Sequence, residues 1–169
     1  MFPQVPHARV YEPGPQGLLS DENRKYLRTV LRMKDGEPFI ITDGRGTERV
    51  AVLGPRGEYS AQAPYQPGRE PEIEVTLFAA LSKGDRLENL IEKAVELGAA
   101  SIVPLRANRC VVGAPSISKL ERFEKIALAA MLQCGGCRKP VIGRPVPPGE
   151  IPVPPPDVLP LLLHETSLN

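Results

Sequence analysis

The densest pattern of apolar and polar positions lies between Leu77 and Leu105. Leu77–Leu81 is a short apolar run and reads as a buried strand, broken by Lys83-Gly84-Asp85-Arg86 with three charges and a glycine. Leu87, Leu90, Ile91, Ala94 and Leu97 then recur at helical spacing, which predicts an amphipathic helix. Asp85 and Glu88 stand three apart, in the manner of a capping box with Asp85 as the cap. Gly98 stops the helix, and Ser101–Leu105, apolar and β-branched, predicts a second strand. Strand, helix and strand in so short a span make one right-handed crossover onto a parallel sheet. Ligands of open α/β sheets gather beyond the carboxyl ends of the strands, where the loop Lys83 to Arg86 is expected.

The N-terminal part has a different rhythm. His7–Tyr11 predicts a strand, and Ser20 is placed to cap a helix running to Arg32, with Leu27, Val30 and Leu31 as its apolar face. Glu37–Thr42 and Thr47–Leu53 flank Asp43-Gly44-Arg45-Gly46, a strong hairpin signal. Gly54-Pro55-Arg56-Gly57 turns the chain again into Glu58–Ala63, so residues 1–70 outline a small, partly closed barrel. Pro64 to Pro71 is rich in breakers and reads as a linker. Beyond Leu105, Ala107–Pro115 reads as a loop. Ser118 and Glu121 form a second capping-box pattern ahead of Leu120, Phe123, Ile126, Ala127, Ala130 and Met131. Gly135-Gly136 ends that helix. Nine prolines between Pro140 and Pro160 predict an extended connector, after which Val158–Leu163 resumes as a buried strand. The expected class is α/β, with a β-rich unit over residues 1–70 and a parallel-sheet unit over residues 71–169.

Composition narrows the setting. The 169 residues suffice for one ordinary domain or two small ones, with 41% hydrophobic and 24% charged residues. No apolar run approaches the roughly 20 residues that span a bilayer, and the N-terminus has no apolar stretch like a signal peptide. Three cysteines, an odd and low number, fit a reducing cytoplasm. A net charge of +1 means that any nucleic-acid site must be a local patch.

Several constellations carry candidate chemistry. Arg24, Arg28 and Arg32 recur every four residues, with Lys25 beside them; such a stripe either neutralises RNA phosphates or is a solvated face whose stems cover apolar surface. Lys83, Asp85 and Arg86 either position a substrate or serve as cap and surface charge. Lys93 lies near Glu92 and Glu96, an ordinary polar face, with Arg109 in the loop after the next strand. Cys134 and Cys137 form a C-x-x-C, but the third cysteine is Cys110 alone and His7 and His164 are far apart, so no metal is expected. No dinucleotide-binding fingerprint, P-loop or nucleophile elbow occurs.

The segments YLRTVLRMKDGEPFIITDG, ALSKGDRLENLIEKAVELGAASIVPLRANRCVV and SKLERFEKIALAAMLQCGGCRKP add a more specific signal. In them the chain resembles the bacterial 16S ribosomal RNA uridine-N3 methyltransferases, which join an N-terminal PUA-like domain to a C-terminal SPOUT, or α/β-knot, domain. Leu31-Arg32, Gly36, Asp43-Gly44, Lys83, Gly84, Asp85, Lys93, Glu96, Leu97, Gly98, Pro104, Arg109, Gln133 and Arg138 fall on the family pattern. Tyr26 stands where the family usually has histidine, Gly136 where arginine is common, and Ala129 near a usual acidic residue. The later G-P-E-G-G loop and the terminal L-G-x-R-I-L-R-x-E-T-A segment, which build most of the family's cofactor site and knot, do not occur.

The resemblance implies an incomplete SPOUT unit and an activity: methyl transfer from S-adenosyl-L-methionine to N3 of a uridine in 16S rRNA of the small ribosomal subunit. It implies RNA contacts at Arg9, Arg24, Arg28, Arg32 and Arg138, and substrate positioning by Lys83, Asp85, Arg86 and Arg109. Leu163, His164 and Glu165 would begin the cofactor site. It also implies a homodimer for the intact protein, no metal and no membrane. A non-catalytic RNA-binding fragment and, more remotely, an unrelated small-molecule α/β enzyme using the Lys83 to Arg86 loop are the competing readings.

Overall fold

Two apolar clusters divide the chain into two sheets. The computed structural model describes residues 7–13, 17–107 and 113–163. The first sheet is ordered β1 (Arg9–Tyr11), β2 (Pro38–Thr42), β3 (Glu48–Leu53) and β4 (Tyr59–Ala61). β1 runs parallel to β2, while β2–β3 and β3–β4 are antiparallel. The β2–β3 turn is held by Asp43, whose carboxylate accepts from the amides of Arg45 (2.7 Å) and Thr47 (3.2 Å) and from the Thr47 hydroxyl. Leu18 bridges Glu58 beside β4, so the segment after β1 reaches the far edge and partly closes the sheet. Val10, Leu19, Leu27, Phe39, Ile41, Ala51, Leu53 and Tyr59 fill its core.

Ser20 caps the first helix as expected, accepting from the amide of Asn23 at 3.4 Å. The helix itself departs from the regular period. Only α1 (Asp21–Lys25) is α-helical, and Tyr26–Val30 is a π-turn in which the amide of Leu31 donates to the carbonyl of Tyr26. The wider turn shifts the phase of everything after it. Leu27 is buried, but Val30 and Leu31 face solvent, and Met33 packs on the core instead. Nor is Pro64 to Pro71 a free tether. The Tyr65 amide and carbonyl pair with Glu48, and the Tyr65 hydroxyl donates to the Glu48 carboxylate at 2.9 Å.

The second sheet is parallel throughout, in the order β5 (Val75–Ala80), β6 (Ala99–Leu105), β7 (Val141–Ile142). Helices α2 (Arg86–Glu96) and α3 (Ile117–Cys134) pack on each other and on this sheet through Leu87, Ile91, Val95, Phe123, Ala127 and Met131, with Ala79 and Ile102 beneath. Each large side chain buried there contributes about 1.5–3 kcal/mol. The buried face of α2 is Leu87, Ile91 and Val95; the expected Leu90 and Leu97 point outward.

Neither expected capping box forms. Asp85 has a backbone conformation outside the extended region that N-caps favour and makes no side-chain cap. Glu88 is drawn away to α3, where Lys119 and Arg122 donate to it. The cap of α3 is Ser116, which has extended backbone and accepts from the amide of Lys119 at 3.3 Å, while Ser118 lies inside the first turn. The proline-rich stretch begins not as a connector but as β7, an edge strand where flanking prolines cost no ladder bond. Val158–Leu163 forms no strand and is exposed, with no strand beside it among the described residues.

Candidate functional site

The carboxyl ends of β5, β6 and β7 share one edge of the sheet because all three strands run the same way. β5 is followed by Lys83, Gly84, Asp85 and Arg86, all exposed, with Gly84 at φ 71° turning the loop into α2. β6 is followed at once by Arg106, whose amide donates to the carbonyl of Val146 at 2.9 Å while its side chain stays exposed. After β7 the chain carries exposed Arg144 and then returns to the sheet at Val146, which bridges Leu105. From Ile102–Ile142 to Leu105–Val146, four steps on the β7 side oppose three on β6, so Gly143–Pro145 holds one extra residue, a bulge containing Arg144. A Cβ at Gly143 would lie 2.9 Å from Val103 Cγ2, so the bulge needs glycine there. Lys83, Arg86, Arg106 and Arg144 form no ion pair among the described residues.

Sequence reasoning puts Lys83, Asp85 and Arg86 at this edge and does not single out Arg106 or Arg144. Arg106 was legible as the first residue after an apolar run. Arg144 was hidden because β7 lay inside the proline-rich stretch. Arg109, His164 and Glu165 lie outside the described residues. Leu163 is 91% exposed. Four cations and one carboxylate suit phosphates better than a sulfonium, so the described residues of this edge do not by themselves make a cradle for S-adenosylmethionine.

The opposite, amino edge is where the two sheets meet. The turn after β2 pairs with the segment after α3: Gly46 donates to the carbonyl of Cys137 at 3.0 Å, Lys139 donates to that of Gly44 at 2.9 Å, and Arg45 bridges Arg138. Thr42 Oγ1 also donates to the Cys137 carbonyl at 3.2 Å. Glu48, fully buried, accepts from Arg9, from Arg69 at 2.6 Å and from Tyr65. Arg69 Nε reaches the carbonyl of Gly135 at the end of α3. Burial pushes the Glu70 carboxyl up, but the amides of Cys137 and Arg138 more than offset it and its pKa is lowered. Burial, then the hydrogen bond to Glu48, raises the Tyr65 phenol.

A cleft of about 650 Å³ opens at this junction. Its lining includes Arg45, Arg69, Arg138 and Lys139 opposite Glu70, Glu74 and Glu96, close to charge balance.

The expected RNA contacts therefore separate. Arg9 is committed to Glu48 with its side chain only 12% exposed, so its first role is structural. Arg28 donates to the carbonyls of Met33 (2.8 Å) and Gly54 (2.7 Å) and to Asp35. Arg24 pairs with Asp21 at 2.7 Å, and Arg32 sits past the π-turn at φ 56°. The three arginines do not form one helical stripe, because the π-turn breaks the period on which the stripe rested. Arg138 is exposed at the junction, 3.9 Å from Glu74, and is not brought together with Lys83, Asp85 or Arg86. Lys93 lies between Glu92 (2.8 Å) and Glu96 (2.9 Å), as its spacing suggested. Cys134 and Cys137 are free thiols; burial pushes the Cys137 thiol up to about 12. Among the described residues no group of His, Cys, Asp and Glu could hold a metal ion, and no helix is long and apolar enough to cross a membrane.

Comparison with known proteins places this architecture. Residues 69–166 match the RNA methyltransferase domain, and residues 19–58 match the RNA methyltransferase PUA domain. The chain is 34% identical over 127 residues to the ribosomal RNA small subunit methyltransferase E of Synechocystis sp., covering 74% of this chain and 42% of that protein. The protein of the same name from Bacillus subtilis is 31% identical over 129 residues, covering 72% and 50%. A methyltransferase from Legionella pneumophila, solved with bound cofactor SAM, is similar with a TM-score of 0.74 at 30% identity, over 82% of this chain and 62% of that one. Ribosomal RNA small subunit methyltransferase E from Neisseria gonorrhoeae, bound to S-adenosyl methionine, gives 0.71 at 28%, over 83% and 63%. The chain spans about half the length, or less, of these curated relatives. With its domain matched over more than half of its residues, the chain belongs to the RNA methyltransferase domain family.

Proposed function

We propose that the protein methylates N3 of a uridine in 16S rRNA, with S-adenosylmethionine as donor. In this reading residues 1–70 form a PUA-like RNA-holding domain and residues 71–169 belong to the methyltransferase domain. The observation that carries the reading is the pairing of a parallel sheet, its carboxyl edge lined by cations, with a separate curled sheet locked to its other edge. The donor, when bound, would supply an electrophilic methyl group: the S–CH3 bond of the sulfonium would break as the N3–CH3 bond forms, the N3 proton passing to solvent and the donor leaving as its neutral thioether. The cations Lys83 and Arg86 favour the anionic nucleotide and hold its phosphates, and tight placement lowers the barrier. Asp85 and Arg109 are assigned to substrate positioning, and Leu163, His164 and Glu165 to the start of the donor site. Arg24, Arg32 and Arg138 are the expected arginines left accessible to RNA, whereas Arg9 fixes the first sheet through Glu48 and Arg28 ties the π-turn to Met33, Asp35 and Gly54. A homodimer, a cytoplasmic site and specificity for the small ribosomal subunit complete the proposal.

The alternative reading is a chain that binds RNA without methylating it. Calorimetric titration of S-adenosylmethionine into the protein, with and without small-subunit RNA, separates the two. Saturable one-to-one heat supports the enzyme. No heat up to about millimolar donor, a binding free energy of roughly 4 kcal/mol, leaves the RNA-binding reading.

A further inference from the structure

We infer that Lys83, Arg86, Arg106 and Arg144 act as one phosphate-binding rim, which grips the RNA backbone beside the nucleotide to be modified. The inference rests on the RNA methyltransferase reading and adds to it the rim's ligand class and two residues, Arg106 and Arg144.

Three facts carry it. First, each of the three strands of the parallel sheet is followed at its carboxyl end by at least one exposed cation: Lys83 and Arg86 after β5, Arg106 after β6, Arg144 after β7. Neighbouring strands lie about 4.8 Å apart, and the bulge carries the chain after β7 up to Val146, level with Leu105 at the end of β6, so the cations after the three strands span roughly 10–15 Å, which suits consecutive phosphates of one backbone. Second, these four cations form no ion pair among the described residues and so keep their charge for a ligand, whereas Arg24, Lys93 and Arg122 are matched by Asp21, by Glu92 and Glu96, and by Glu88. Asp85 is the one carboxylate among the described residues of the loop that carries Lys83 and Arg86, in a chain whose net charge is only +1. Third, the backbone under the two arginines is fixed. Arg106 is tied to Val146 through its amide, and Arg144 sits in a bulge that needs Gly143 against Val103. Bulges re-aim side chains, and here the re-aimed side chain joins an edge already rich in cations. The junction cleft does not offer the same chemistry, because its cations are nearly balanced by carboxylates and Arg69 is held by Glu48.

The test is fluorescence anisotropy of the protein with a short labelled single-stranded fragment of small-subunit rRNA, over a salt series. Arg106→Glu with Arg144→Glu is expected to weaken binding about tenfold or more and to reduce the salt slope by about 0.7 for each lost contact. Arg106→Gln with Arg144→Gln, which removes charge without reversing it, should show the smaller slope with an unchanged thermal melt. Lys125→Glu, on the outer face of α3, alters net charge as much as one reversal and should stay within about twofold of wild type. If the rim variants bind like wild type, the rim is overturned and the methyltransferase reading stands. If Lys125→Glu weakens binding, per charge reversed, as much as the Arg106→Glu, Arg144→Glu pair does, the effect is global charge and the rim is likewise overturned. Wild-type protein that binds no RNA at low salt overturns both.

Discussion

Glu48 collects contacts from two separate parts of the chain: Arg9 on β1, and Tyr65 and Arg69 in the linker, of which Arg69 also touches the end of α3. It has no exposure, so cutting it back leaves two guanidinium groups without their anion. Breaking a buried pair from one side costs about 3–5 kcal/mol, and Glu48→Ala is expected to lose that much in urea unfolding. A loss below about 1 kcal/mol would mean that water already screens the site. Sequence reading placed Arg9 on an RNA surface because its partner lies 39 residues away, beyond any local pattern. Cys137 makes a second residue-scale prediction. With its thiol pushed up to about 12, it carries almost no thiolate at neutral pH. Alkylation mapped by mass spectrometry should label exposed Cys134 in the native protein and reach Cys137 only in denaturant.

At the scale of elements, helix faces were legible to different degrees: in α2 the expected Leu90 and Leu97 face out and Val95 is buried instead. The buried residues of α3 are the expected ones, because α3 is long, uninterrupted and stopped by Gly135 at φ 83°. The first helix was not legible, since a π-turn adds a residue that no 3.6-residue pattern contains. Glu88 was misassigned for another reason: Lys119 and Arg122, 31 and 34 residues on, compete for it with the cap. Those two hydrogen-bonded cations hold its carboxyl below the usual glutamate range. A depressed folded pKa means that the bonus is complete above the unfolded value and fades as pH falls through the folded one. The stability difference between wild type and Glu88→Gln should therefore be steady near neutrality and shrink in acid; a difference that grows in acid would reverse the assignment. Gly98 links α2 to the junction. Its φ is 90°, and a Cβ there would lie 2.5 Å from Pro71 Cγ. Gly98→Ala should lower the thermal midpoint by several degrees, roughly 1 kcal/mol or more in a chain of this size.

For the whole molecule, sequence pattern conveyed two units in order, one β-rich and one with a parallel sheet, because hairpin signals and a strand–helix–strand crossover are local. It did not convey which edges face which. The curled sheet docks at the amino edge, and the cation-lined edge is the other one, about 20 Å away along a strand the length of β6. An RNA touching both must run the height of the parallel sheet. β7 and Arg144 were invisible for the same reason, since parallel register is set by contacts far apart in sequence. Small-subunit rRNA in the host carries the mark that the proposed activity leaves. Deleting the gene and mapping methylated nucleosides by mass spectrometry should remove one 3-methyluridine from 16S rRNA, restored by the wild-type gene but poorly by one carrying Arg106→Glu and Arg144→Glu. Unchanged 3-methyluridine in the deletion strain, or loss of a methyl group from another base or from the large subunit alone, would contradict it.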